Sequence, residues 1–269
     1  MEDELWSGPV LSVLIVLLGA PMGSFAALLA ERLPRGLPVG LARSRCGACG
    51  GALRWWELVP ILSFLALRGR CACCRTPIPA RLLEAELAGL ALGGLAVWAG
   101  LGPAGAAVLW CLLALILSDL WYFRLPDRLS LALLVLALPA NALAPGLSAP
   151  PAARLGAALI GAAVAAGLFL ALALGYRAIR RRAGMGAGDI RLMAGIGALV
   201  VPAAGWTGLA MVTLIASLAG LALALMRGLR RGRAPGGATR LPFGACLGMA
   251  AIAVWAWTAS PGLPGLVGP

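Results

Sequence analysis

The chain contains no histidine, all 22 of its basic residues are arginine, and only 12% of its residues are charged. An average globular domain carries roughly a quarter charged residues, so this scarcity excludes an ordinary soluble fold. Without histidine, side-chain acid–base chemistry and metal ligation fall to carboxylates and sulfur. Polar sequence is scarce too: the only sizeable polar region runs from Glu31 to about Ala80. Elsewhere, apolar runs of about 20 residues recur, the length a helix needs to cross a hydrocarbon core of roughly 30 Å.

These runs predict an all-α polytopic membrane protein with about eight transmembrane helices and one small cytoplasmic loop. The spans fall at Pro9 to Ala30, Arg81 to Ala99, Ala104 to Ser118 and Leu129 to Leu143. They continue at Ala157 to Leu174, Leu192 to Val201, Thr207 to Met226 and Phe243 to Trp257. The third is short unless it takes in polar Asp119, and the sixth is short unless it passes Pro202 to reach Trp206. The expected organisation is a first helix (1–30), a Cys-rich loop (31–80), a seven-helix region (81–260) and a Pro- and Gly-containing tail (261–269).

A net charge of +12 suggests nucleic acid only if the charge lines one face, and here it alternates with the spans. With the N-terminus outside, 21 of the 22 arginines fall in inside loops and only Arg154 outside. That is the positive-inside pattern, and the acidic start Glu2, Asp3, Glu4 agrees with an exported N-terminus. The expected partner is the lipid bilayer, with no nucleic acid. The first apolar stretch reads as a spanning helix, because its front is acidic where a signal peptide's is basic.

Two constellations carry chemistry. Cys46-Gly-Ala-Cys49 is followed, after 21 residues, by Cys71-Ala-Cys73-Cys74. Two such C-x2-C pairs aim four thiolates at one metal and leave no position for water, which describes a closed structural zinc site of Cys46, Cys49, Cys71 and Cys74. Cys73 is supernumerary, and the spacing leaves open whether it exchanges with Cys71 or Cys74. Cys111 and Cys246 lie in apolar spans and read as core residues.

The second constellation is acidic. Beyond the loop and the helix after it, the chain has three carboxylates: Asp119, Asp127 and Asp189. Ionisable groups at spanning segments are expensive and point to function. Asp119 closes the third span and Asp189 opens the sixth, on the same predicted side. Two adjacent carboxylates share a proton, one acting as acid and the other as base, and can activate water against a peptide carbonyl without metal. Glycines in Gly186-Ala-Gly188-Asp189 allow close backbone approach. The competing structural reading makes Asp119 and Asp189 helix caps beside Arg124 and Arg191. Asp127, after Leu125-Pro126, is expected to be an N-terminal cap.

Together these residues resemble the type IV prepilin peptidase family of bacterial membrane aspartyl proteases. Pro21-Met-Gly23-Ser24-Phe25 with Glu31-Arg32-Leu-Pro34 is similar to its opening motif. Arg43-Ser44-Arg45-Cys46, Glu57-Leu-Val-Pro60-Ile-Leu-Ser63, Arg68-Gly-Arg70-Cys71, Pro77-Ile-Pro-Ala-Arg81 and Glu84 continue the likeness. Asp119-x5-Leu125-Pro126-Asp127, Gly184-Met-Gly186-Ala-Gly188-Asp189-Ile-Arg191 and Leu241-Pro242-Phe243-Gly244 complete it.

The resemblance implies catalysis by Asp119 and Asp189 on prepilins or pseudopilins at the cytoplasmic face of the bacterial inner membrane, with cuts usually after Gly and before Phe. It also implies N-methylation of the new terminus from S-adenosylmethionine, although no Gly-rich fingerprint marks a donor site. The complete Cys-bearing loop favours that second activity. Ala27 stands where the family commonly has Asn, and Arg191 where it often has Lys. A membrane aspartyl protease with another exported substrate, or a transporter or scaffold with membrane-edge aspartates, is the alternative.

Overall fold

In a computed structural model, the protein is described over residues 8–40, 44–144, 149–181, 184–230 and 241–260. The acidic start, the 261–269 tail, and Arg43, Arg182, Arg231, Arg233 and Arg240 lie outside the described residues. Helices α1 (Pro9–Arg32), α2 (Leu62–Ala66), α3 (Ala80–Trp98), α4 (Gly102–Tyr122), α5 (Asp127–Ala142), α6 (Pro151–Arg180), α7 (Ala187–Arg230) and α8 (Phe243–Ala259) follow in chain order. There is no extended strand among the described residues, only two isolated bridges in the loop before α3.

Four helices are long and apolar enough to cross a membrane: α1 with its 3-10 extension to Arg35, α4, α6 and α7. Helix α7, at 44 residues, would measure about 66 Å if straight, twice a hydrocarbon core. It is broken at Gly205, whose φ of 63° and ψ of −165° lie in a region open essentially to glycine alone. Asp189 and Gly220 line one cavity, yet they sit 16 residues before and 15 after Gly205. Those arms each measure roughly 23 Å, so the chain folds back on itself there. The expected sixth and seventh spans are these two arms, and the first passes through Pro202 and ends at the break rather than at Val201. The expected third span likewise extends beyond Ser118, carrying Asp119 inside α4.

Small residues set the helix spacing. A Cβ on Gly19 of α1 would lie 2.5 Å from the Gly89 carbonyl oxygen of α3, and one on Gly23 would overlap the Ala85 carbonyl. Backbones this close gain van der Waals contact over their whole length, which matters most where lipid removes the hydrophobic drive for helices to associate. Trp110 Nε1 of α4 donates to the same Gly89 oxygen at 3.1 Å, fixing α1, α3 and α4 as one cluster. Gly161 and Gly197 make the equivalent approach between α6 and α7.

At the end of the bundle away from the aspartates, Arg154 is buried. It donates to the carbonyls of Asn141 and Ala144, both at 2.9 Å. Asn141 in turn donates to Ala137 and Ala198. The one arginine assigned outside is thereby a structural tie rather than a free charge. Cys246 is buried and Cys111 half-buried, as expected for core sulfur.

Candidate functional site

Helix α4 ends because Phe123 takes a left-handed conformation, its amide returning to the Asp119 carbonyl at 2.9 Å. The chain then runs through Arg124, Leu125 and Pro126 into α5, with Ser118 Oγ donating to the Arg124 carbonyl at 2.6 Å. This places Asp119 in the last turn of α4, 6% exposed. Asp189 occupies the first turn of α7, its amide donating to Gly186 at 3.2 Å. The two aspartates line a single cavity of about 1220 Å³. Residues 70 positions apart are thus brought to one site, as their spacing relative to the spans required.

Leu125 is the contact that locks the motifs together. A Cβ on Gly188 would lie 2.9 Å from Leu125 Cβ, and one on Gly244 would lie 2.7 Å from Leu125 Cδ1. The Gly188 of the second aspartate motif and the Gly244 of the last motif are therefore small so that the first aspartate loop fits between them. Arg191 pairs with Asp127 across the same junction. This corrects the expected capping role of Asp127: the N-cap of α5 is Pro126, Asp127 follows inside the helix, and no side-chain cap bond forms. Arg124 donates to the Pro34 carbonyl at 3.1 Å, tying in the end of α1.

No role for Leu241-Pro242-Phe243-Gly244 follows from its residues alone, and the geometry provides one. Proline at the entry and the helix start bring the Ala245 amide to 2.8 Å from Asp119 Oδ2. A carboxylate at a helix N-terminus gains a charge-assisted hydrogen bond and the favourable end of the dipole. Gly244 makes room for it, since a Cβ there would lie 3.1 Å from that same oxygen. The substitution Gly244→Ala should therefore displace both the Leu125 side chain, at 2.7 Å, and the carboxylate, at 3.1 Å, by a few tenths of an ångström. Misplacement of about 1 Å at a reacting group costs on the order of 100-fold, so the leader cleavage that the resemblance implies is expected to fall roughly tenfold at unchanged expression. An unimpaired kcat would show that close packing at Gly244 does not position Asp119.

In the loop, the four expected sulfurs of Cys46, Cys49, Cys71 and Cys74 lie within 4.8 Å of one another. Cys46 Sγ and Cys74 Sγ are 3.8 Å apart, the edge of a tetrahedron with Zn–S bonds of about 2.3 Å. Both knuckles have the same backbone. Gly50 N donates to Cys46 O and Cys46 N to Gly51 O, just as Arg75 N donates to Cys71 O and Cys71 N to Thr76 O. Gly50 and Arg75 both have positive φ to complete the turn. Thr76, through its side chain and then its amide, draws the Cys74 thiol down to about 6, which favours the thiolate form that a metal binds. The donor set fits structural zinc, and Cys73 stands outside it, which answers the question the spacing left open.

A helical membrane protein that gathers two aspartates, one on a Gly-x-Gly-Asp turn, into a single cavity has the build of a membrane aspartyl peptidase. Residues 17–99 match the bacterial peptidase A24 N-terminal domain and residues 106–225 the type IV leader peptidase family. The chain belongs to the type IV leader peptidase family. It is 39% identical over 262 residues to the prepilin leader peptidase/N-methyltransferase of Burkholderia pseudomallei (strain K96243), covering 85% of this chain and 80% of that one. To the protein of the same name from Pseudomonas aeruginosa it is 35% identical, covering 94% and 92%. To that of Neisseria gonorrhoeae it is 30% identical, covering 87% and 88%. No solved structure matches it.

Proposed function

We propose that this protein removes the leader of type IV prepilins or pseudopilins and methylates the amine so exposed, with Asp119 and Asp189 as the hydrolytic pair. The observation that carries the reading is the shared cavity of the two aspartates, framed by all three downstream motifs. The orientation that follows from the arginine distribution puts this cavity and the Cys loop on the cytoplasmic side of the inner membrane, with eight crossings and the N-terminus outside.

Water between the carboxylates gives a proton to one of them. The other protonates the scissile carbonyl oxygen, and the collapse of the tetrahedral intermediate returns a proton to the leaving nitrogen. The proton at rest belongs to the pair rather than to either residue. The cavity is wide enough for an extended segment, and Ser217, Gly220 and Leu221 of the returning arm of α7 line it. A substrate anchored by its own apolar helix is already confined to the membrane plane, so little further binding energy is needed to present its leader. For the second activity, S-adenosylmethionine supplies an electrophilic methyl group.

Purified protein in detergent, given a type IV prepilin and S-adenosylmethionine, should yield pilin that has lost its leader and carries one methyl group on its new terminus by mass spectrometry. Intact precursor at the end of the incubation, with a correctly folded enzyme, would refute the reading.

A further inference from the structure

The aspartates lie in the second matched segment and account for hydrolysis alone. The first matched segment encloses a separate cavity of about 440 Å³, within the roughly 300–1,000 Å³ typical of small-molecule sites. We infer that this second cavity, between the Cys loop and helices α1 and α3, binds S-adenosylmethionine, with Glu57, Glu86 and Arg45 as its charged contacts. This deepens the proposed function and rests on the methylating half of it.

The chemistry of the lining matches the donor's parts. Glu57 and Glu86 face a ligand that carries a sulfonium and an ammonium. Arg45 complements its carboxylate, and Phe64 offers a flat apolar surface for adenine. Ser24 and Leu82 close the cavity from the helices, and Cys46 and Cys71 put both zinc knuckles in its wall.

The rim shows stored strain. Ile61 has φ 63° and ψ −54°, and Leu62 N donates to Pro60 O at 2.6 Å. That is a γ-turn of the rare positive-φ form, here centred on a β-branched residue, a conformation that persists only where its surroundings over-determine it. The determinant is Glu86, whose Oε2 accepts from Ile61 N at 2.7 Å. One carboxylate thus both faces the cavity and bends the Glu57–Ser63 segment over it.

In the transfer itself, the lone pair of the free amine forms an N–C bond to the methyl carbon as the C–S bond breaks. The electron pair returns to sulfur, leaving neutral S-adenosylhomocysteine, and the positive charge moves to the methylated amine. Ser24 lines this cavity and Leu33 the aspartate cavity, nine residues apart on one helix and its extension, or about 14 Å. The two cavities share no lining residue, so cleavage is expected to proceed without the donor.

The test is equilibrium binding of tritiated S-adenosylmethionine to the purified, zinc-loaded full chain, with prepilin cleavage measured on the same preparations. Glu86→Gln keeps an acceptor for the Ile61 amide while removing the charge, and Leu82→Trp fills the cavity. Saturable binding near one per wild-type chain, weakened at least about tenfold in both variants, is expected. Wild-type affinity in both variants, or a wild type that cleaves prepilin and binds no donor, overturns the assignment. A wild type that binds donor in the cavity yet cleaves no prepilin supports this site and sinks the peptidase reading instead.

Discussion

Replacing either Asp119 or Asp189 with asparagine is expected to lower the rate of leader cleavage by about 100- to 10,000-fold, the range spanned by a single positioned acid or base. Asparagine keeps the shape of the side chain and leaves an oxygen able to accept from the Ala245 amide, which sits 2.8 Å from Asp119 Oδ2. The lock formed by Leu125 against Gly188 and Gly244 does not involve either carboxylate's charge, so expression and fold should survive. The double variant should be no slower than the worse single one, because two groups that act as a unit are not additive. Initial rates on a prepilin, with detergent-phase monodispersity as the control on folding, measure this. Either single variant cleaving at the wild-type rate would remove the paired-carboxylate mechanism and return the transporter or scaffold reading to consideration. Methylation of a pre-cleaved pilin by the same variants should remain, since the donor cavity is lined by neither aspartate.

Much of this site was legible because membrane proteins use polar residues sparingly. With three carboxylates in the chain beyond the Cys loop and the helix after it, the pair at the span ends stood out, and topology put both on one side. The zinc set was legible for a similar reason: two pairs with a fixed internal spacing constrain a turn, and the turn constrains the sulfurs. What escaped was whatever neither residue spacing nor membrane topology marks. Asp127 looked like a cap because it follows Leu125-Pro126 and opens a helix, whereas its partner Arg191 lies 64 residues away. The reversal between the sixth and seventh spans was expected, but that Gly205 carries it was invisible among 37 glycines, since only the backbone angles distinguish it from glycines that allow helix packing. The donor cavity combines residues from Ser24 to Glu86, and no single stretch of them resembles a nucleotide-binding turn.

Zinc removal is expected to unfold the loop selectively. Among the described residues from Ser44 to Pro79, Cys71 alone is buried, so the loop has no apolar core of its own to offset the entropy of ordering about 1–2 kcal/mol per residue. Its short helical turns contain no buried residues, and the two knuckles are held to each other through the sulfurs. Structural zinc in small metal-dependent domains contributes on the order of 10–16 kcal/mol, and such domains are unfolded without the metal. Purified protein should therefore carry about one zinc per chain by elemental analysis. After chelation, or in Cys46→Ser and Cys71→Ser, trypsin should cut rapidly at loop arginines such as Arg54 and Arg68, which the zinc-loaded form protects. Because both knuckles wall the donor cavity, S-adenosylmethionine binding should be lost together with trypsin resistance. Cleavage should fall far less, since no residue of either knuckle lines the aspartate cavity. A metal-free preparation that resists trypsin and still methylates pilin would show that the four sulfurs converge without holding the loop.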